Sequence, residues 1–178
     1  MSDTDTGYDF IPKLIKAVKH EPIETIVNII NSHKNIRNIN INQQDKYGNT
    51  VLMHAVRYNT NIEVIQHLCS TFKDLIDINI QSNNGFTALM IAAEYNKNAL
   101  ITQYLCTVFK HTIDINIVDR YGYTALMSAT KHIKNADVLR FVYNTFKYTG
   151  DINIKSKDDM TVLIVAAQYN KNEKVMQY

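Results

Sequence analysis

The sequence predicts an all-α solenoid in which helix-turn-helix repeats stack side by side, with short β-hairpin-like arms between them. Two observations carry this prediction. A period of 37 residues runs through the chain in five registers, one of which is Thr50, Thr87, Thr124 and Thr161. Each period also contains two apolar stripes at helical spacing. Five registers do not stay in step by chance, so the chain is a tandem array.

Each unit opens with a short arm and a turn. Polar and β-branched residues alternate in the arm, for example in Asp77-Ile78-Asn79-Ile80, which is typical of an extended segment. Gly48, Gly85 and Gly122 then supply a turn with positive φ. The fourth unit has Asp159 at this place, which predicts a strained or differently shaped turn.

Two helices complete each unit. Thr-x-Leu-Met-x-Ala begins the first helix in three copies, so we expect Thr50 and its equivalents to cap it and the methionines to fill the core. An Asn-rich link, such as Tyr95-Asn96-Lys97-Asn98, is expected to end that helix because Asn tolerates the left-handed conformation. The second helix follows with apolar residues at 3.6-type spacing.

The two ends of the chain depart from the full pattern. Residues 1–9 predict a flexible N-terminal tail, and two apolar stripes within residues 10–37 predict a divergent capping helix pair. Residues 38–178 are the array proper, with three full repeats and a fourth that stops midway through its second helix. We expect this uncapped end to expose apolar side chains of Leu163, Val175 and Met176.

An extended arm, a turn and two antiparallel helices in tandem resemble the ankyrin repeat. The resemblance is carried by Gly85-Phe86-Thr87-Ala88-Leu89-Met90-Ile91-Ala92-Ala93, which leads to Asp114-Ile115-Asn116. The family signature Thr-Pro-Leu-His is altered, because Val or Ala replaces Pro and Met or Ile replaces His. We therefore expect the hairpin region to depend more on apolar packing.

The period exceeds the family's ~33 residues, which places about three extra residues after the second helix, in a longer helix or a wider loop. The long period and the Ile/Asn-rich composition resemble ankyrin proteins of giant amoeba-infecting DNA viruses.

Composition and motifs argue against several other classes. A net charge of +2 without a Lys/Arg run argues against nucleic-acid and membrane partners. No secretory signal or apolar span is present, so an intracellular protein is expected. Cys69 and Cys106 stand one period apart, beyond disulfide reach, and are predicted to be reduced core thiols. No residue pattern indicates catalysis, a metal site or a cofactor.

The resemblance implies partner binding at the turn tips and along the exposed side of the first helices. Carried over residue by residue, it assigns tip positions Lys46, Tyr47, Asn49, Asn83, Asn84, Phe86, Arg120, Tyr121, Tyr123, Lys157, Asp158 and Met160. The helix positions are Arg57, Tyr58, Glu94, Tyr95, Lys131, His132, Gln168 and Tyr169. Tyr, Arg and Phe, which are common in this set, are favoured at binding hot spots. For the column of Tyr58, Tyr95, His132 and Tyr169, the alternative is that the rings pack the repeat stack.

The expected function is therefore a protein–protein interaction module, acting as an effector or adaptor that engages a host protein if the source is viral. We expect a monomer unless the uncapped C-terminal end associates. One alternative is a structural spacer within a longer array. Another is the substrate-delivery part of a ubiquitin-ligase adaptor, whose recruiting domain is not encoded in these residues.

Overall fold

The computed structural model describes residues 9–33 and 39–169. The predicted tail falls outside this part of the chain except for Asp9, as do residues 34–37 of the predicted capping pair. The second helix of the fourth unit, with Val175 and Met176, also falls outside it.

The described residues form nine helices and no strand, which confirms the all-α prediction. They are α1 (Phe10–His20), α2 (Ile23–Ser32), α3 (Val51–Tyr58), α4 (Ile62–Phe72), α5 (Ala88–Tyr95), α6 (Ala99–Val108), α7 (Ala125–His132), α8 (Ala136–Phe146) and α9 (Val162–Tyr169). The arms between repeats remain irregular, and the antiparallel bridge recorded among them joins Val118 to Thr124.

The helices lie in two rows. The odd-numbered helices α1, α3, α5, α7 and α9 pack each against the next and form the inner row. The even-numbered helices α2, α4, α6 and α8 do the same and form the outer row. The main apolar core lies between the rows and is continuous from α1 to α9, so no repeat buries its apolar side without its neighbour.

The predicted threonine caps are present at the start of each inner helix of the repeats. The Thr50 Oγ1 accepts a hydrogen bond from the Met53 amide at 3.3 Å, and the same bond recurs in the next two repeats at 3.3 and 3.2 Å. Met53, Met90 and Met127 are each 1% exposed, which confirms that the methionine column fills the core.

The Asn-rich links end α3 and α5 as predicted, but the predicted reason is wrong, because the first asparagine of the link does not adopt the left-handed conformation. Asn59 and Asn96 follow α3 and α5 with φ of −99° and −82°, in extended backbone. Their side chains reach back to the preceding repeat. Asn59 Nδ2 donates to the Val18 carbonyl at 3.1 Å, and Asn96 Nδ2 donates to the Val56 carbonyl at 2.6 Å. Asparagine at this place therefore joins repeats instead of reversing the chain.

The extra residues of the long period form a tight turn after the outer helices α4, α6 and α8. In the first repeat α4 ends at Phe72, whose carbonyl accepts from the Leu75 amide at 2.9 Å. Asn42 of the same repeat's arm holds the turn: its Nδ2 donates to the Leu75 carbonyl at 2.7 Å and its Oδ1 accepts from the Asp77 amide at 3.0 Å. The same pair of bonds recurs at Asn79 and Asn116. The extra residues are thus fixed by an asparagine 33 residues before the carbonyl that it binds.

Candidate protein-binding face

The four hairpin turns lie in one row, joined directly by backbone hydrogen bonds. The Asn83 amide donates to the Tyr47 carbonyl at 3.0 Å, and the Arg120 amide donates to the Asn84 carbonyl at 3.0 Å. The Lys157 amide repeats the contact with the Tyr121 carbonyl at 2.8 Å. The tips therefore form a continuous edge along the solenoid, as the binding-face prediction requires.

Glycine at the tip meets two requirements. Gly48, Gly85 and Gly122 have φ of 77°, 82° and 82°, which confirms the predicted positive φ. A Cβ on Gly85 would lie only 2.8 Å from the Arg120 nitrogen of the next hairpin, closer than side chains tolerate. Asp159 has φ of 57°, a strained value for a residue with a side chain, as the fourth turn was predicted to show.

Each hairpin is closed by a short polar side chain that sequence reasoning missed. The Asp45 Oδ1 accepts from the Tyr47 and Asn49 amides, both at 2.9 Å. Asp119 makes the equivalent bonds, and the hydroxyl oxygens of Ser82 and Ser156 accept in the other two hairpins. The hairpin region was expected to depend more on apolar packing, yet a polar tie is present in every hairpin. Asp45, Ser82, Asp119 and Ser156 follow one another at intervals of 37 residues, and this spacing is the sequence signal that could have identified them.

In the first repeat a histidine joins the tip to the inner helix. His54 Nε2 lies 2.8 Å from Asp45 Oδ2. Burial lowers the pKa of His54 below its ordinary value, and the Asp45 carboxylate only partly opposes this. Burial raises the pKa of Asp45, but hydrogen bonds from Asn49, His54 and Tyr47 outweigh it and leave that pKa below its usual range.

Five tyrosines of the predicted site are exposed to solvent. Tyr47 is 60% exposed, Tyr121 49%, Tyr58 47%, Tyr169 43% and Tyr95 40%. The rings of Tyr58 and Tyr95 also contact His54 and Phe86, so the stack covers one side of each ring and leaves the rest exposed. The exposed fraction leaves about half of the surface of each residue available for contact.

The remaining predicted positions differ in their accessibility. Phe86 and Tyr123 are half-buried and pack against the core, so these two tips have a structural role as well. Asn49 and His132 are also half-buried. Asn84 is exposed, and its Oδ1 accepts from Arg120 Nη1 at 2.8 Å. Lys46 and Asp158 are exposed at the first and fourth tips.

A row of cation–tyrosine contacts runs along the inner helices. In each contact a cation on one inner helix lies over a tyrosine on the next. The Arg57 Cζ is 4.1 Å from the Tyr95 ring centroid, Lys19 Nζ is 5.6 Å from that of Tyr58, and Lys131 Nζ is 4.8 Å from that of Tyr169. Between α5 and α7 this contact is not made, because Glu94 stands in place of the cation and His132 in place of the tyrosine. Lys19 lies outside the predicted set, and sequence reasoning did not find the pairing.

Two contacts join this row to the hairpin tips. The rings of Phe86 and Tyr95 meet edge to face at 6.1 Å between centroids, and Lys131 Nζ lies 5.4 Å from the Tyr123 centroid. The tips and the exposed ends of the inner helices therefore form one surface, which we call the tyrosine face. It comprises Lys19, Lys46, Tyr47, Asn49, Arg57, Tyr58, Asn84, Phe86, Glu94, Tyr95, Arg120, Tyr121, Tyr123, Lys131, His132, Lys157, Asp158 and Tyr169.

Comparison with protein families matches this architecture. A family model for ankyrin repeats matches residues 64–155 in three copies. The chain belongs to the ankyrin-repeat family. Ankyrin repeats are generally protein–protein interaction modules and are typically not enzymes. The comparison with curated proteins gives no match. The resemblance to ankyrin proteins of giant viruses stays a prediction.

Other chemistry finds little support in the described part of this ankyrin array. Cys69 and Cys106 are buried as free thiols, and burial raises the pKa of each to about 12, which keeps the thiolate form negligible near neutral pH. No group of three potential metal ligands occurs among the described residues. No helix described here is long and apolar enough to cross a membrane.

Proposed function

We propose that this ankyrin array binds a protein partner through the tyrosine face. The observation that carries the proposal is the exposure of five tyrosines on one continuous surface, each 40% exposed or more. Tyrosine combines a large apolar ring with a hydroxyl that forms hydrogen bonds, and it is enriched among the residues that dominate binding energy. A core does not need these rings, so a partner surface is the simplest use for them.

The rigidity of the face also supports binding. Backbone bonds join the tips of successive repeats, and cations restrict the rings of Tyr58, Tyr95 and Tyr169 from one side. Side chains that are already ordered lose less conformational entropy when a partner arrives. The face is therefore prepared for contact before the partner is present.

The test compares two tyrosine variants by affinity-capture mass spectrometry. Tyr47→Ala/Tyr121→Ala removes two exposed rings, and each hot-spot ring is expected to contribute about 2 kcal/mol, so a direct partner should bind at least about tenfold more weakly. Tyr148→Ala is the matched control, because Tyr148 is 89% exposed and lies under Lys147 at 4.8 Å on the outer turn. Proteins retained by the wild type and the control but lost from the double variant support the proposal. Equal recovery by all three chains, with unchanged circular dichroism, contradicts it.

An alternative role, as a spacer segment of a longer array, is favoured by the apolar surface of α9. Leu163 is 64% exposed and Ile164 45%, whereas their equivalents Leu126 and Met127 are 8% and 1% exposed. Capture that is lost in Leu163→Ser/Ile164→Ser but kept in the tyrosine variant would favour this alternative. The effector and ubiquitin-ligase adaptor roles stay predictions.

A further inference from the structure

We propose that the partner segment recognised by the tyrosine face is acidic, with two clusters of carboxylates. This inference rests on the proposed function and specifies the chemistry of the partner. The face has six cations, and they alternate with exposed aromatic rings. They are Lys19, Lys46, Arg57, Arg120, Lys131 and Lys157.

The exposed side chains of this face carry more cations than carboxylates. The whole chain has a net charge of only +2. Glu94 projects from an inner helix of the face, and Asp158 and Asp159 are exposed at the fourth tip, where Asp159 lies 3.6 Å from Lys155. Asp45 and Asp119 lie beneath the tips, where their oxygens accept backbone amide hydrogen bonds, and Asp45 also contacts His54. Complementary charge on a partner is therefore negative.

Within the described residues, the cations of the face take part in no recorded ion pair, although Arg120 donates hydrogen bonds to Asn84 Oδ1 and to the Tyr121 hydroxyl. The ion pairs recorded among the described residues join His54 to Asp45, Arg140 to Asp137 and Lys155 to Asp159, so none of them uses a cation of the face. Tyr95 supports the Arg57 guanidinium from one side, which leaves N–H donors for a carboxylate. A cation held in this way loses less rotamer freedom on binding, and charge-assisted hydrogen bonds are stronger than neutral ones.

Glu94 divides the cations into two groups, which sets the spacing of the partner's charges. Lys19, Lys46 and Arg57 lie on one side of it along the array, and Arg120, Lys131 and Lys157 lie on the other. Neighbouring packed helices are about 8–10 Å apart, so α3 and α7 are separated by about 16–20 Å. An extended chain covers that distance in about 5–6 residues. We therefore expect two acidic clusters with that spacing and a neutral or basic residue opposite Glu94.

A protein segment fits this surface better than a nucleic acid does. Nucleic-acid sites are continuous basic patches that neutralise successive phosphates. Here the basic groups are interrupted by Glu94 and by Asp158, and one carboxylate lies at the centre of the face. A polyanion of uniform charge would meet repulsion at Glu94, whereas a polypeptide places its charges selectively.

The experiment selects binders from a random 12-residue peptide library displayed on phage, with the wild-type chain as bait. Enriched peptides are synthesised with a fluorescein label, and their affinity is measured by fluorescence anisotropy. We expect acidic peptides with two clusters of Asp or Glu separated by about 5–6 residues, the span of two repeats in an extended chain. Their affinity should fall by about tenfold between 50 and 500 mM NaCl, because screening weakens charge pairs at the surface.

Two charge-reversal variants localise the binding. Arg57→Glu/Lys131→Glu should weaken the acidic peptides by at least about 100-fold, because it replaces two attractions with two repulsions. Lys73→Glu/Lys110→Glu changes the net charge equally, but its two exposed lysines lie in the turns after the outer helices. This control should change affinity less than about threefold, since charges beyond a Debye length are screened.

The outcomes separate the two proposals. Enriched peptides that are neutral or basic, and that lose binding in Tyr47→Ala/Tyr121→Ala, would overturn the acidic partner while leaving the proposed function intact. Peptides whose affinity is unchanged in both face variants would overturn both proposals. A single-stranded dT12 oligonucleotide that binds more tightly than the best peptide, and that loses binding in Arg57→Glu/Lys131→Glu, would replace the acidic protein segment with a nucleic acid.

Discussion

Replacing Gly85 with alanine tests whether the hairpin tips must touch. Gly85 has φ of 82°, and a Cβ there would lie 2.8 Å from the Arg120 nitrogen and 2.8 Å from the Asp119 Cα. Both atoms belong to the backbone of the next hairpin, so a side-chain rotation cannot relieve the clash. The hairpins of two repeats would have to separate.

The cost is the sum of three contributions. Left-handed backbone costs alanine about 1–2 kcal/mol. Overpacking against backbone adds about 1–3 kcal/mol. Separation of the hairpins also breaks the 3.0 Å bond from the Arg120 amide to the Asn84 carbonyl, which contributes about 1 kcal/mol. We therefore expect the free energy of unfolding to fall by about 3–6 kcal/mol, a large share of the ~5–15 kcal/mol of a typical domain.

Urea unfolding followed by far-ultraviolet circular dichroism measures this change. Gly150→Ala is the matched control, because its added Cβ would lie 3.2 Å from the Phe146 carbonyl oxygen and 3.4 Å from the Ile115 Cγ2, and Gly150 does not have positive φ. It should lose less than about 1 kcal/mol, as for a well-tolerated alanine. Equal losses in the two variants would refute the reasoning that tip contact requires glycine.

Three further predictions follow from other contacts. Asn79→Ala removes two hydrogen bonds to the turn after α6 and should lower the free energy of unfolding by about 1–3 kcal/mol. The control Asn144→Ala changes an exposed residue and should alter that free energy by less than about 0.5 kcal/mol. Urea unfolding of both variants measures the difference, and equal losses would contradict the prediction. Asp159→Gly relieves a φ of 57° and should raise the melting temperature, with a gain of up to about 1 kcal/mol, and a decrease would show that the turn is unstrained. Burial lowers the pKa of His54 in the folded chain below 6.5. As the pH falls through 6.5, the histidine is protonated in the unfolded chain before it is protonated in the folded chain. The free energy of unfolding therefore decreases below that pH. His54→Gln should therefore reduce the loss of stability between pH 7.5 and 5.5, and an unchanged pH slope in urea titrations would contradict this.

The features that sequence alone predicted are those that recur with the 37-residue period. Thr50 caps its helix, Met53 is buried and Gly48 has positive φ, because each is fixed by local backbone chemistry that every repeat reproduces. The all-α architecture follows from the same repetition. A period that is visible in the sequence therefore predicts the fold and the line of the hairpin tips.

Sequence alone missed the bonds that Asp45 and its equivalents make within each hairpin, and it also missed contacts that join one repeat to the next. Arg57 lies over Tyr95, a tyrosine 38 residues later, so the pair is out of register with the period. Asn96 reaches the Val56 carbonyl 40 residues earlier, which local propensity does not reveal. Phe86 and Tyr123 are partly buried because neighbouring repeats approach their tips. Which residues meet across two repeats depends on how the repeats stack, and the sequence of a single repeat does not determine that.

Hydrogen–deuterium exchange of the chain with a captured partner bound tests the central claim most directly. If the tyrosine face binds the partner, exchange should slow in the hairpin segments 45–49, 82–86 and 119–123 and at the ends of α3, α5 and α7, while α4, α6 and α8 stay unchanged. Protection confined to the outer helices, with the hairpin tips exchanging as in the free chain, would contradict the account.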